Sequence, residues 1–141
     1  HTVKQTVDAF NLARQCGFDN INMDLIAGLP TDTYQSFKAT VDSVVALSPE
    51  SVTVHSLSMK RSSSMTKANE LPEIEVGKTA SLMVDFAYNT LSDNDIFPYY
   101  MYRQSKTVGN LENVGYSKGS LNTACRQSSS WNCNYHRFLL L

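Results

Sequence analysis

Asp24, Gly28, His55 and the cluster Tyr99, Tyr100, Tyr102 and Arg103 are the residues of this chain whose types and settings can do chemistry. Asp24 precedes the turn Gly28-Leu29-Pro30 by a few residues. A carboxylate at such a strand end can accept hydrogen bonds from ribose hydroxyls or an amino group. The alternative is a solvated or helix-capping Asp that stabilises the turn. Gly28 permits a tight turn and close backbone approach to a ligand. His55 can act as an acid or base, or pack its ring against a cofactor; an interior His satisfied by its neighbours is the default. The tyrosine cluster can line a pocket for a large anionic ring system, or form an aromatic strand end with Arg103 paired to a local carboxylate. Cys125, Cys133 and His136 invite a metal reading, yet C-x7-C-x2-H matches no standard structural zinc pattern and offers no fourth ligand. No metal site is expected.

The elements that must position these residues follow from periodicity. Thr2 can cap a helix in which Val3, Val7, Phe10 and Ala13 recur at helical spacing, and Gly17 sits where a left-handed C-cap belongs. Residues 20–27 read as a buried strand ended by Gly28-Leu29-Pro30. Thr31, Asp32 and Thr33 offer N-caps for a second helix with Phe37, Val41, Val44 and Val45 inside. Pro49 separates it from a strand at 51–57. A polar, Ser-rich stretch spans 60–77. A third helix is expected at about 78–91, burying Leu82 or Met83 with Phe86 and Ala87, and a third strand at 97–102.

The order α-β-α-β-α-β implies right-handed crossovers and a parallel sheet. In the first strand Ile21, Met23 and Leu25 point one way, and Asn22, Asp24 and Ile26 the other. Val52 and Val54 oppose Thr53 and His55 in the second. A doubly wound sheet carries apolar helices on both faces, so Asn22 and Asp24 would be awkward there. A partial βα barrel lets the apolar set meet outer helices while the polar set faces a ligand inside, with Asp24 near the strand ends that form its active face. No G-x-G-x-x-G follows a strand. Three parallel strands cannot close a barrel and leave open edges.

Composition excludes little but narrows the class. Of 141 residues, 42% are apolar, enough for a core, and the formal charge of −1 advertises neither nucleic acid nor anionic lipid. No apolar run nears the ~20 residues that span a bilayer. Cys16, Cys125 and Cys133 form an odd, widely spaced set unlike a disulfide framework, so a cytoplasmic location is expected. The opening at His1, almost directly on a helical pattern, raises the expectation of an excerpt from a longer chain.

Taken together, Asn22-Met23-Asp24-Leu25-Ile26-Ala27-Gly28-Leu29-Pro30, followed by Thr33 and an amphipathic helix, resembles the strand-turn-helix of the oxygen-independent coproporphyrinogen III oxidases, which are radical S-adenosylmethionine enzymes. The run from Leu47 to Leu57 looks like their next strand. Lys60-Arg61, Tyr99-Tyr100-Met101-Tyr102-Arg103-Gln104 and Gly109-Asn110-Leu111-Glu112-Asn113-Val114-Gly115-Tyr116 are similar to the bacterial coproporphyrinogen dehydrogenase branch. The resemblance runs from about Thr2 to Lys118.

It implies a partial (β/α) barrel holding a [4Fe-4S] cluster on a C-x3-C-x2-C loop, with S-adenosylmethionine on the unique iron. Reductive cleavage, fed by an electron donor, gives a deoxyadenosyl radical. That radical takes hydrogen from the propionates of a porphyrinogen, and loss of carbon dioxide leaves vinyl groups in haem synthesis. The difficult chemistry is the cofactor's. Asp24 matches the family aspartate that contacts S-adenosylmethionine. Ser58 falls where main chain touches the same cofactor region, so only a backbone role carries over. No catalytic residue is assigned. The cluster motif is absent from this sequence, and Cys16, Cys125 and Cys133 cannot imitate three thiolates on one short loop. The expectation is therefore a barrel fragment at 1–118, inactive alone, and an irregular tail at 119–141 such as a shifted reading frame produces. Two other readings stand beside it: a different radical S-adenosylmethionine enzyme with another substrate, and a non-catalytic binding module derived from the barrel.

Overall fold

The computed structural model describes residues 2–57, 73–103, 107–119 and 136–139. Helix α1 (Val3–Gln15) starts where Thr2 and Gln5 cap each other: the Gln5 N–H donates to Thr2 Oγ1 and the Thr2 N–H donates to Gln5 Oε1. Gly17, at φ 87°, turns the chain out of it. Strand β1 (Ile21–Ala27) follows, then α2 (Tyr34–Leu47), capped by Thr33 with Ser36, and β2 (Ser51–Ser56). Helix α3 (Glu73–Asp93) leads to β3 (Ile96–Tyr102). These six elements reproduce the expected alternation. The first helix's inner stripe is shifted, though. Val3 is exposed, and Thr6 joins Phe10 and Ala13 inside.

Two further strands change the sheet. Strand β4 (Asn113–Lys118) and β5 (His136–Leu139) give a five-stranded order β3-β4-β2-β1-β5. β1 runs parallel to β2 and β5, while β4 runs antiparallel to both β2 and β3. The expected all-parallel sheet is thus corrected to a mixed one. β3 does not lie beside β2, because β4 stands between them; about ten residues separate β3 from β4, fewer than the crossover a parallel pair needs, so the two pair antiparallel. The irregular tail is corrected at one place, where residues 136–139 pair with β1. Four residues are too few for a legible period, but an open parallel edge supplies the unpaired N–H and C=O groups that order them. The architecture is mixed α/β, with three helices and this sheet among the described residues.

The core lies between the helices and one sheet face. Ile21, Met23, Leu25, Val52, Val54 and Tyr116 pack there beneath Phe10, Phe37, Val41, Met83 and Leu91. Each such side chain contributes about 1.5–3 kcal/mol by leaving water. Met83 is the inward residue of the expected pair, and Leu82 is exposed. Burial pushes the Tyr116 phenol up to about 12, with Tyr88 and Asp85 adding to the effect. At the opening of β1, Arg14 bonds Glu50 at 2.7 Å, and the second oxygen of Glu50 accepts the Ile21 N–H at 3.0 Å. That clamp joins α1, β1 and the start of β2.

Candidate functional site

The sheet face away from the helices carries the polar set. Strand alternation puts Asn22 and Asp24 of β1, Thr53 and His55 of β2, and Asn113 and Gly115 of β4 on it, with Asp24 opposite Thr53 in register. Asp24 is 0% exposed and Asn22 4%. A carboxylate buried like this is costly unless its oxygens find donors. Asn22 Nδ2 donates to Asp24 Oδ1 at 2.7 Å, and Thr53 Oγ1 donates to Asn22 Oδ1 at 3.2 Å. His55 Nε2 stands 3.7 Å from Asp24 Oδ2. Asp24 is therefore neither solvated nor a helix cap. The turn-stabilising carboxylate is Asp32, which accepts from the Thr33 N–H at 3.1 Å and from the Ser36 hydroxyl.

In front of this group lies a pocket of about 360 Å³ walled by Asn22, Thr53, His55, Asn113, Gly115 and three tyrosines, Tyr99, Tyr100 and Tyr102. Its size falls in the range of small-molecule sites. A bulge between Pro98 and Tyr100 brings Tyr99 over Gly115, where an added Cβ would lie 3.2 Å from the Tyr99 ring. Only glycine lets that ring sit so close. Asn113 Oδ1 accepts the Ser56 N–H at 2.8 Å, and Ser56 Oγ donates to the Glu112 carbonyl at 3.1 Å, which ties the end of β2 to β4.

The two readings of the aromatic cluster thus divide. The tyrosines line the pocket, while Arg103 pairs with Glu112 at 3.0 Å. Gly28, at φ 86°, makes the tight turn, and its N–H donates to Met83 Sδ at 3.4 Å. Asp24 itself stands one side-chain layer behind the pocket wall. Ser58, Lys60, Arg61, Cys125 and Cys133 lie outside the described residues, and His136 is placed only as a backbone position on β5. Cys16 is exposed, and no group of three or more His, Cys, Asp or Glu side chains gathers among the described residues. The donor set for an iron-sulfur cubane is not in this part of the chain. No helix among the described residues is long and apolar enough to cross a membrane.

Thr53, Asn113 and Gly115 were not singled out as site residues from the sequence. The period-2 pattern at Thr53, and the alternation of Asn113, Gly115 and Ser117 with Val114 and Tyr116, was the available signal.

By sequence the chain is similar to oxygen-independent coproporphyrinogen III oxidase-like proteins, as its motifs indicate. It is 44% identical over 117 residues, 83% of its length, to the oxygen-independent coproporphyrinogen-III oxidase-like protein HemZ of Bacillus subtilis, and covers 23% of that protein. It is also 43% identical over 53 residues (38% of this chain, 12% of the relative) to the oxygen-independent coproporphyrinogen III oxidase of Pseudomonas aeruginosa. A third relative, the heme chaperone HemW of Bacillus subtilis, is 35% identical over 57 residues, 40% of this chain and 15% of its own. The chain spans under a quarter of the length of these curated relatives. No protein-family model and no solved structure matches it.

Proposed function

We propose that this chain forms part of a radical S-adenosylmethionine coproporphyrinogen III dehydrogenase, in which the tyrosine pocket and the polar strands behind it belong to the cofactor-binding interior of a partial (β/α) barrel. The observation that carries the reading is the buried Asp24. It stands on the motif shared with the resembling family and is joined to Asn22 and His55 behind an aromatic, hydrogen-bonding pocket. That lining fits a flat, polar nucleoside-like group. Asp24 is assigned to S-adenosylmethionine binding, and the main chain at Ser58 to the same region. When bound to a [4Fe-4S] cluster, S-adenosylmethionine supplies the radical chemistry; the cluster's cysteines belong to sequence outside this chain. Within this chain, Asn22, Thr53 and Asn113 offer hydrogen bonds, the tyrosines exclude water, and Gly28 turns the strand end. The substrate is a porphyrinogen and the whole enzyme draws on an electron donor.

The test is anaerobic. The whole protein, reconstituted with iron and sulfide, is expected to convert coproporphyrinogen III with release of carbon dioxide, whereas this chain alone takes up no cluster. A stoichiometric cluster on the isolated chain would overturn the assignment. The name of the HemW relative favours a second reading, a haem-handling protein without the oxidative step. Stoichiometric haem binding by the whole protein without turnover of coproporphyrinogen would select it.

A further inference from the structure

Between Asp24 and the pocket lies a hydrogen-bond chain whose direction is fixed by chemistry. An ionised carboxylate only accepts hydrogen bonds, so it demands the nitrogen end of the Asn22 amide. The oxygen end then needs a donor, and Thr53 on the neighbouring strand supplies its hydroxyl at 3.2 Å. Val52 and Val54 flank Thr53 in sequence but face the helices, so the hydroxyl stands on the polar side. Threonine and valine have nearly the same shape. What Thr53 adds over valine is this one donor.

We propose that Asn22 and Thr53 are positioning residues: Thr53 orients the Asn22 amide, and the amide fixes the Asp24 carboxylate behind the tyrosine pocket. The inference rests on the reading of that pocket as the S-adenosylmethionine site. Around the carboxylate, β2 contributes His55, 3.7 Å away, while β5 sets Leu139 opposite Asp24 and Arg137 opposite Asn22 in register. A donor to the charged form holds an acid ionised to lower pH. Without Asn22 the carboxylate loses the donor on Oδ1, which favours its protonated form relative to the parent protein.

Two measurements on the whole protein test this. The first is made without ligand: thermal midpoints of Asn22→Leu, Asp24→Leu and the double variant. The double variant is expected to lose clearly less than the sum of the singles, since each single leaves a buried polar partner unmatched. Additive losses overturn the relay whatever the ligand does. The second is S-adenosylmethionine affinity across the acid range. Asn22→Leu is expected to weaken binding by roughly tenfold or more and to move its acid limb to higher pH. Thr53→Val should do the same by a smaller step, and Thr53→Ser should restore the parent profile. An acid limb unmoved in Asn22→Leu and Thr53→Val, while Asp24→Asn abolishes it, overturns the positioning role. A coupled midpoint cycle with affinity indifferent to Asp24→Asn leaves the relay standing and removes the ligand assignment instead.

Discussion

On the helix side of the sheet, β1 and β2 bury Ile21, Met23, Leu25, Val52 and Val54 against Phe37, Val41 and Met83. On the other side the same two strands bury Asn22 and Asp24 and half-bury Thr53 and His55. The first face draws stability from area alone, and many arrangements of apolar side chains would satisfy it. The second has nothing to gain from area. Its buried core is tolerable because the groups are aimed at one another at hydrogen-bond distance, from Thr53 to Asn22 to Asp24. A protein that keeps such a face beside a pocket is spending stability on geometry, and a ligand is the ordinary reason to do so.

The contrast breaks most visibly on the apolar side. Leu25→Ala, at a residue 1% exposed, should cost about 2–5 kcal/mol and lower the denaturant midpoint, with any loss of ligand affinity following from unfolding. On the polar side the order reverses. Asp24→Asn and Asp24→Ala should weaken S-adenosylmethionine binding to the reconstituted whole protein by about 1.5–3 kcal/mol, Ala at least as much as Asn. Unchanged affinity in both, by direct titration, would make Asp24 a structural group only.

The buried phenol sharpens the comparison from the helix side. Tyr116 rises from 10.0 to about 12 in the folded protein. A raised folded value means that the native state keeps a proton the unfolded state gives up. The contribution is complete below pH 10 and is lost as pH climbs towards 12, for about 2–3 kcal/mol in all. Tyr116→Phe should flatten the alkaline limb of a stability–pH curve, with little change near neutrality. The smallest effect is expected at Gly115→Ala. The new methyl meets the Tyr99 ring at 3.2 Å and should displace it for about 1 kcal/mol. A shifted Tyr99 ring resonance with near-normal stability is the expected result.

How far the sequence reveals this arrangement depends on where each signal lies. The first two helices and the first two strands are legible because each carries its own period and punctuation, such as the caps at Thr2 and Thr33 and the turns at Gly17 and Gly28. The polar face is legible for the same reason, since alternation alone separates Asn22 and Asp24 from Ile21 and Met23. β4 was hidden because its apolar side holds only Val114 and Tyr116, and because its place between β2 and β3 is a long-range fact that no local window holds. The exposure of Val3 was hidden as well: its spacing fits the helix stripe, but the buried stripe starts only at Thr6, a turn further along. Asp24 was recognised, yet its enclosure was not. Burial depends on Asn22 and His55 meeting around it, and they come from two strands.

The bond from the Ser56 N–H to Asn113 Oδ1 joins residues 57 positions apart. The sheet is therefore not assembled in chain order. During synthesis β1 and β2 can pair as soon as both have emerged, but the outer edge of β2 must wait for β4. At ordinary translation speeds that delay is roughly 3–11 s, far longer than the microseconds in which a hairpin closes. Through that interval an unpaired, valine-rich strand edge stands open to any other nascent chain. The wait arises because β4, made after β3, is inserted between β3 and β2 in the sheet. The yield of the fold in a cell should depend on how well that one edge is sheltered until Asn113 arrives.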